Sequence, residues 1–152
     1  MDTLIVVVFG ILGLSILIVI HELGHFFAAR ACGVVVETFS IGFGKKIAGF
    51  TAKSGTTYQL SWFILGGYCK LKGELFNPDA TGEDYEKAKR EQGSFMLAPL
   101  WKKITIIASG PAANIILATL VFAFMAMIGF SIPVSGNKIV LQTDYPQYVG
   151  EP

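Results

Sequence analysis

Two apolar runs constrain the fold of this sequence more than any other feature. The first extends from Leu4 to about Ala29 and the second from Ile104 to Ile132. A helix rises about 1.5 Å per residue, so about 20 mostly apolar residues cross the hydrocarbon core of a bilayer. Both runs exceed that length, which predicts tilt or a break in each. Composition agrees: 53% of the residues are hydrophobic and 15% charged, against about a quarter charged in an ordinary soluble domain. The 152 residues suit one compact unit. The expected class is an α-helical membrane protein, with transmembrane helices over about 4–29 and 104–132 flanking the rest.

The charges give the expected orientation. Eleven of the twelve Lys and Arg residues lie between Arg30 and Lys103, and only Lys138 lies outside. Basic residues mark the cytoplasmic side, so residues 30–103 are expected inside and both ends of the chain outside. Only Asp2 precedes the first run, with no basic residue, so the run reads as a span rather than a signal peptide. A net charge of +1 argues against a nucleic-acid partner. Cys32 and Cys69 form no CxxC pair and face a reducing compartment on this topology, so neither a disulfide nor a cysteine metal site is expected.

Between the runs, β-branched and aromatic residues alternate with glycine: Gly33, "GFG" at 42–44, "KSG" at 53–55 and "GG" at 66–67. This predicts strands near 34–41, 46–52, 56–64 and 68–72, joined by tight turns. Outward positions are also apolar, as at Phe39, Phe43, Trp62, Phe63 and Ile64. A β layer of this kind packs on the helices or dips into the membrane beside a wet cavity, where non-helical backbone is tolerated. Residues 73–80 read as a loop, and about 82–92 as a surface helix. Thr81 and Asp84 make a capping box there, with Glu83–Lys87 and Glu86–Arg90 as i,i+4 ion pairs. "FMLAPLWKK" at 95–103 suits a membrane interface.

In the second run Pro111 should kink the helix or mark its start. Gly110, Asn114 and Ala118 form a small-residue stripe for close helix packing. Asn114 is an amide in an apolar run and needs a partner, either across helices or in an active site. Residues 133–152 read as the start of an extracytoplasmic segment.

The chemistry is concentrated in "IHELGHFF" at 20–27. Each helical residue turns about 100°, so His21 and His25 lie about 40° apart and can bind one metal. Glu22 flanks that face, where it can take a proton from water held at the metal. Gly24 leaves room for a neighbouring backbone or for substrate. An isolated HExxH is weak evidence, but ionisable groups in an apolar helix are costly unless a metal and an enclosed wet cavity compensate. Zinc suits imidazole and carboxylate donors and brings bound water toward a pKa of about 7. Catalytic zinc usually has three protein ligands, and only two are obvious here. No carboxylate outside the motif lies in a span, so the site is expected to be incomplete within these residues.

Four motifs in order, "HELGHFFAARACGV", "FSIGFGKK", "LGGYCKL" and "SGPAANI", resemble the site-2 protease family of intramembrane zinc metalloproteases. The likeness covers about residues 5–132 and is nearest to the bacterial regulator-of-sigma-E (RseP) type. It implies that His21 and His25 bind Zn2+ and that Glu22 is the general base. It also implies a membrane-associated β-hairpin layer over 34–72. An edge of that layer near Leu65, Gly66, Gly67, Tyr68 and Cys69 would pair with an unwound substrate helix. Asn114 matches the asparagine of the family's GPxxN and takes a supporting role.

The family's third ligand, an aspartate in an Asp-Gly motif on a later membrane helix, is not in this sequence, nor are the PDZ domains that often precede that helix. The chain therefore reads as an N-terminal portion, inactive alone, whose partner is the C-terminal remainder. The implied setting is the lipid bilayer of a bacterial inner membrane. The implied substrates are single-span membrane proteins, such as anti-sigma factors or signal-peptide remnants. The alternatives are a non-catalytic membrane scaffold or pseudoprotease and, more remotely, a metal transporter, for which two spans are too few.

Overall fold

The computed structural model describes residues 3–74 and 81–129. In chain order they form α1 (Thr3–Ala31), β1 (Val36–Thr51), β2 (Thr57–Leu71), α2 (Gly82–Arg90) and α3 (Leu100–Ile128). The chain divides into two compact units, Met1–Leu120 and Val121–Pro152. The described part of the second is the last turns of α3. The expected segment at 133–152, the end of the second apolar run and most of the 73–80 loop fall outside the described residues.

α1 and α3 are both long and apolar enough to cross a membrane. α3 begins at Leu100, ahead of the expected 104, and carries Pro111 in its interior rather than at its start. Proline supplies no N–H, so the Ile107 carbonyl loses its helical donor there. Gly33, with φ at +77°, closes α1. The turn lets the Val34 N–H return to the Ala29 carbonyl at 2.9 Å, a glycine-dependent helix ending. Lys102 adds its ammonium to the Cys32 carbonyl at 2.7 Å, where the helix dipole favours a cation.

The four expected strands occur as two long ones. Their pairing nevertheless resolves four segments. Ile41 lies opposite Gly67 and also opposite Leu60, and Val36–Ile41 runs antiparallel to Gly67–Leu71. Thr38–Ile41 also pairs in the same direction with Thr57–Leu60, which pairs in turn with Ala48–Thr51. The segments therefore lie in the order 46–51, 57–61, 36–41, 67–71. The "KSG" at 53–55 forms the turn between β1 and β2, as expected, whereas the glycines at 42–44 and 66–67 are irregularities inside continuous strands. Gly42 sits at φ +89°, and a Cβ there would lie 2.8 Å from the Phe63 carbonyl oxygen. Only glycine permits both the backbone angle and that approach, so the strand bends without ending.

The core joins the end of α1 to the sheet. Phe26, Ala29, Val34, Val36, Phe39 and Leu71 are buried together with Ile106 of α3. The Phe26 ring stands 5.4 Å from Phe39 and 5.9 Å from Tyr58. α2 has the expected capping box, with Asp84 N–H donating to Thr81 Oγ1 and Thr81 N–H to Asp84 Oδ2. Its ion pairing differs from expectation: Lys89 meets Glu86 at 2.8 Å, and neither expected i,i+4 pair forms. On this exposed helix the pairs are weak enough for side-chain rotamers to choose between them. Cys32 and Cys69 are free thiols.

Candidate metal centre

His21, Glu22 and His25 share the inner part of α1, where the apolar helix meets both the sheet and α3. Gly24 sets the approach. A Cβ on it would lie 2.9 Å from the Ser109 carbonyl carbon and 3.0 Å from Ala113 Cβ. Only a residue without a side chain lets the two helices come this close. The close neighbour is thus backbone, one of the two occupants expected for that space.

The imidazoles converge. Their ring centroids are 4.8 Å apart. A Cβ built on Gly110 would lie 2.5 Å from His25 Nε2 and 2.6 Å from His21 Nε2. Two Nε2 atoms thus border one small space, kept open because α3 carries glycine at that point. His25 Nδ1 lies 2.7 Å from the Ile106 carbonyl oxygen. A carbonyl only accepts, so Nδ1 carries the proton and Nε2 presents its lone pair to the space. This is the tautomer a metal-ligating imidazole needs, with the hydrogen bond that usually fixes it. His21 Nδ1 meets the Asn114 amide at 3.4 Å. Ile106, Gly110 and Asn114 recur at four-residue spacing, so one face of α3 serves both histidines.

The donors fit zinc in kind and in convergence. Among the described residues, no group of three His, Cys, Asp or Glu side chains comes close enough to hold one ion. The described residues therefore offer two candidate ligands, His21 and His25, where catalytic zinc usually has three.

The remaining expected residues divide. Gly67 lies beside Glu22, its Cβ position 3.7 Å from Glu22 Cγ. Tyr68 lines a cavity of about 340 Å³ with Glu22, His25, Cys69, Glu74 and Ile106, and its hydroxyl accepts from Gln59 Nε2 at 2.9 Å. Leu65 is exposed, and Gly66 packs against the Phe43 ring. Neither Leu65 nor Gly66 lines the cavity.

Sequence reasoning passed over Glu74. It reaches the cavity because the turn after β2 lets its carboxylate accept from the Leu71 N–H at 3.2 Å. Burial pushes the Glu74 carboxyl above the ordinary range, against the opposing Leu71 N–H and His25. Burial, with Glu22 and Glu74 nearby, pushes the Cys69 thiol up to about 12. The thiol is therefore protonated at neutral pH and acts as a packing group.

A helix-borne histidine pair with a flanking glutamate, held by a second helix, is the form of site shared by many metallopeptidases. The model of peptidase family M50 matches residues 9–148, and the chain belongs to that family, the site-2 proteases.

A protein of Campylobacter jejuni is 46% identical over 121 residues, which cover 80% of this chain and 31% of that protein. One of Agrobacterium fabrum is 42% identical over 118 residues, covering 76% and 31%. Both carry the name "Putative zinc metalloprotease". The "Metalloprotease MmpA" of Caulobacter vibrioides is 40% identical over 121 residues, covering 72% and 30%. The chain spans about a third of the length of these relatives.

Proposed function

We propose that this chain is the N-terminal part of the core of a zinc-dependent intramembrane endopeptidase. The observation that carries the reading is the convergence of His21 and His25 Nε2 on the space over Gly110. Glu22 stands beside that space and against Gly67 of the sheet. His21 and His25 hold the zinc, with a third ligand from outside the described cluster. Bound there, zinc supplies Lewis acidity for peptide hydrolysis. Glu22 takes the proton from the attacking water and delivers it to the leaving amine.

The sheet presents the substrate. The segment Gly67–Leu71 pairs on one side with Val36–Ile41, and its other side has no strand partner among the described residues. An unwound substrate segment adds there as a strand, which brings its peptide bond beside Glu22. A helix hides its own backbone bonds, so strand addition is what makes a membrane helix cleavable.

Both long helices span the bacterial inner membrane on this reading, with residues about 30–103 on the cytoplasmic side. Phe43, Ile47, Phe50, Trp62, Phe63 and Ile64 project into the surroundings, which suits a β layer dipping into lipid. The substrates are single-span membrane proteins, and the 152 residues alone do not cleave them.

The test is Glu22→Gln in the full-length protein, assayed on a reconstituted single-span substrate. Loss of cleavage with zinc content intact is expected, by a factor of about 10²–10⁴. Cleavage at the wild-type rate would remove Glu22 from the mechanism.

A further inference from the structure

We propose that Asn114 is a positioning residue for the metal site, whose side-chain carbonyl holds His21 in the tautomer that offers Nε2 to the ion. This inference rests on the metal-site reading above.

A ligating imidazole binds through the ring nitrogen that lacks a proton, and its other nitrogen then needs an acceptor. His25 has one in the Ile106 carbonyl at 2.7 Å. For His21, Nε2 faces the space over Gly110 together with His25 Nε2, so Nδ1 is the nitrogen that must carry the proton. The group facing Nδ1 is the Asn114 side chain, with Nδ2 at 3.4 Å. Asn114 Oδ1 is buried without a hydrogen-bond partner among the described residues.

One half-turn of the amide gives Oδ1 a donor and returns the His21 proton to Nδ1. An amide N–H facing Nδ1 would donate to it and force the His21 proton onto Nε2, where it blocks the ligating lone pair. A carboxamide exchanges its oxygen and nitrogen by a half-turn about its last torsion, at almost constant shape, and its hydrogen-bond partners decide which way it faces. After that half-turn Oδ1 accepts from the His21 Nδ1–H. The amide NH2 then stands in the buried position that Oδ1 leaves. Both histidines are now held in the same tautomer by acceptors on one face of α3, Ile106 O for His25 and Asn114 Oδ1 for His21. Gly110 lies between them and keeps the metal space open.

The experiment has two readouts on the full-length protein in micelles. Ring 15N spectra of the zinc-free, histidine-labelled protein, assigned with a His21→Gln variant, give the tautomer. His21 is expected with its proton on Nδ1, and a proton on Nε2 would overturn the proposal. Zinc affinity, by competition with a chelator, is expected to weaken about 10- to 100-fold in Asn114→Leu. Asn114→Asp, which keeps an acceptor toward Nδ1, is expected to restore it. A leucine variant that binds zinc as tightly as wild type would overturn the positioning role. A wild-type protein that binds no zinc would instead overturn the metal-site reading itself.

Discussion

The two halves of α1 are both rich in apolar residues and are held to different standards. From Leu4 to Leu14 every side chain is exposed. From Ile18 onward the helix is mostly half-buried, and Phe26 and Ala29 are enclosed. The glycines show the contrast best. Cβ atoms on Gly10 or Gly13 would meet nothing within 4 Å, whereas one on Gly24 would enter the backbone of α3. The outer half needs only to be apolar and helical. The inner half needs particular shapes, because the sheet, α3 and the histidine pair all meet there. Hydrophobicity places a helix, and close packing makes a site of it.

Substitutions can break this comparison. Among the α1 glycines, the largest effect on the metal site is expected at Gly24→Ala. Its Cβ runs into the Ser109 carbonyl, a backbone group that cannot swing aside. Zinc affinity and cleavage should fall together by about tenfold or more, while Gly10→Ala and Gly13→Ala leave both unchanged. Equal behaviour of the three variants would erase the distinction between the halves.

Next comes the phenylalanine pair. Phe26 is 5% exposed and Phe9 is 69% exposed. Phe26→Ala should cost about 3–5 kcal/mol of stability, seen as a lower unfolding midpoint in detergent, and Phe9→Ala should leave that midpoint in place.

The smallest effect lies on α2, away from the site. The Thr81 N–H and hydroxyl hold the Asp84 carboxyl below the usual aspartate range. A depressed folded-state value stabilises above the unfolded pKa, and that contribution is lost as pH falls through the folded value. Acidification should therefore fray the first turn of α2. The Thr81 amide shift followed against pH should titrate below an ordinary aspartate, and a midpoint at or above it would contradict the cap.

What could be read from the sequence follows the range of the contacts. His21, Glu22 and His25 lie within five residues, and helical geometry alone places them together. The box between Thr81 and Asp84 is equally local and was equally legible. Asn114 could be singled out as an amide in an apolar run, although its partner could not be named. Gly110 looked like one member of a small-residue stripe. Its service to two imidazoles on another helix depends on a crossing that no local pattern encodes. Glu74 was invisible for the same reason, since a turn carries it back under the site. The glycines at 42–44 and 66–67 misled in a specific way. A glycine permits either a turn or a bulge, and the cross-strand partners that select the bulge are distant in sequence.

The central claim is that Gly110 keeps open the space in which His21 and His25 meet a metal. Zinc content of the purified full-length protein, wild type against Gly110→Ala, tests it most directly. The account predicts about one zinc per chain in the wild type and loss of that zinc in the variant, with helix content retained by circular dichroism. An alanine variant that keeps wild-type zinc would contradict it.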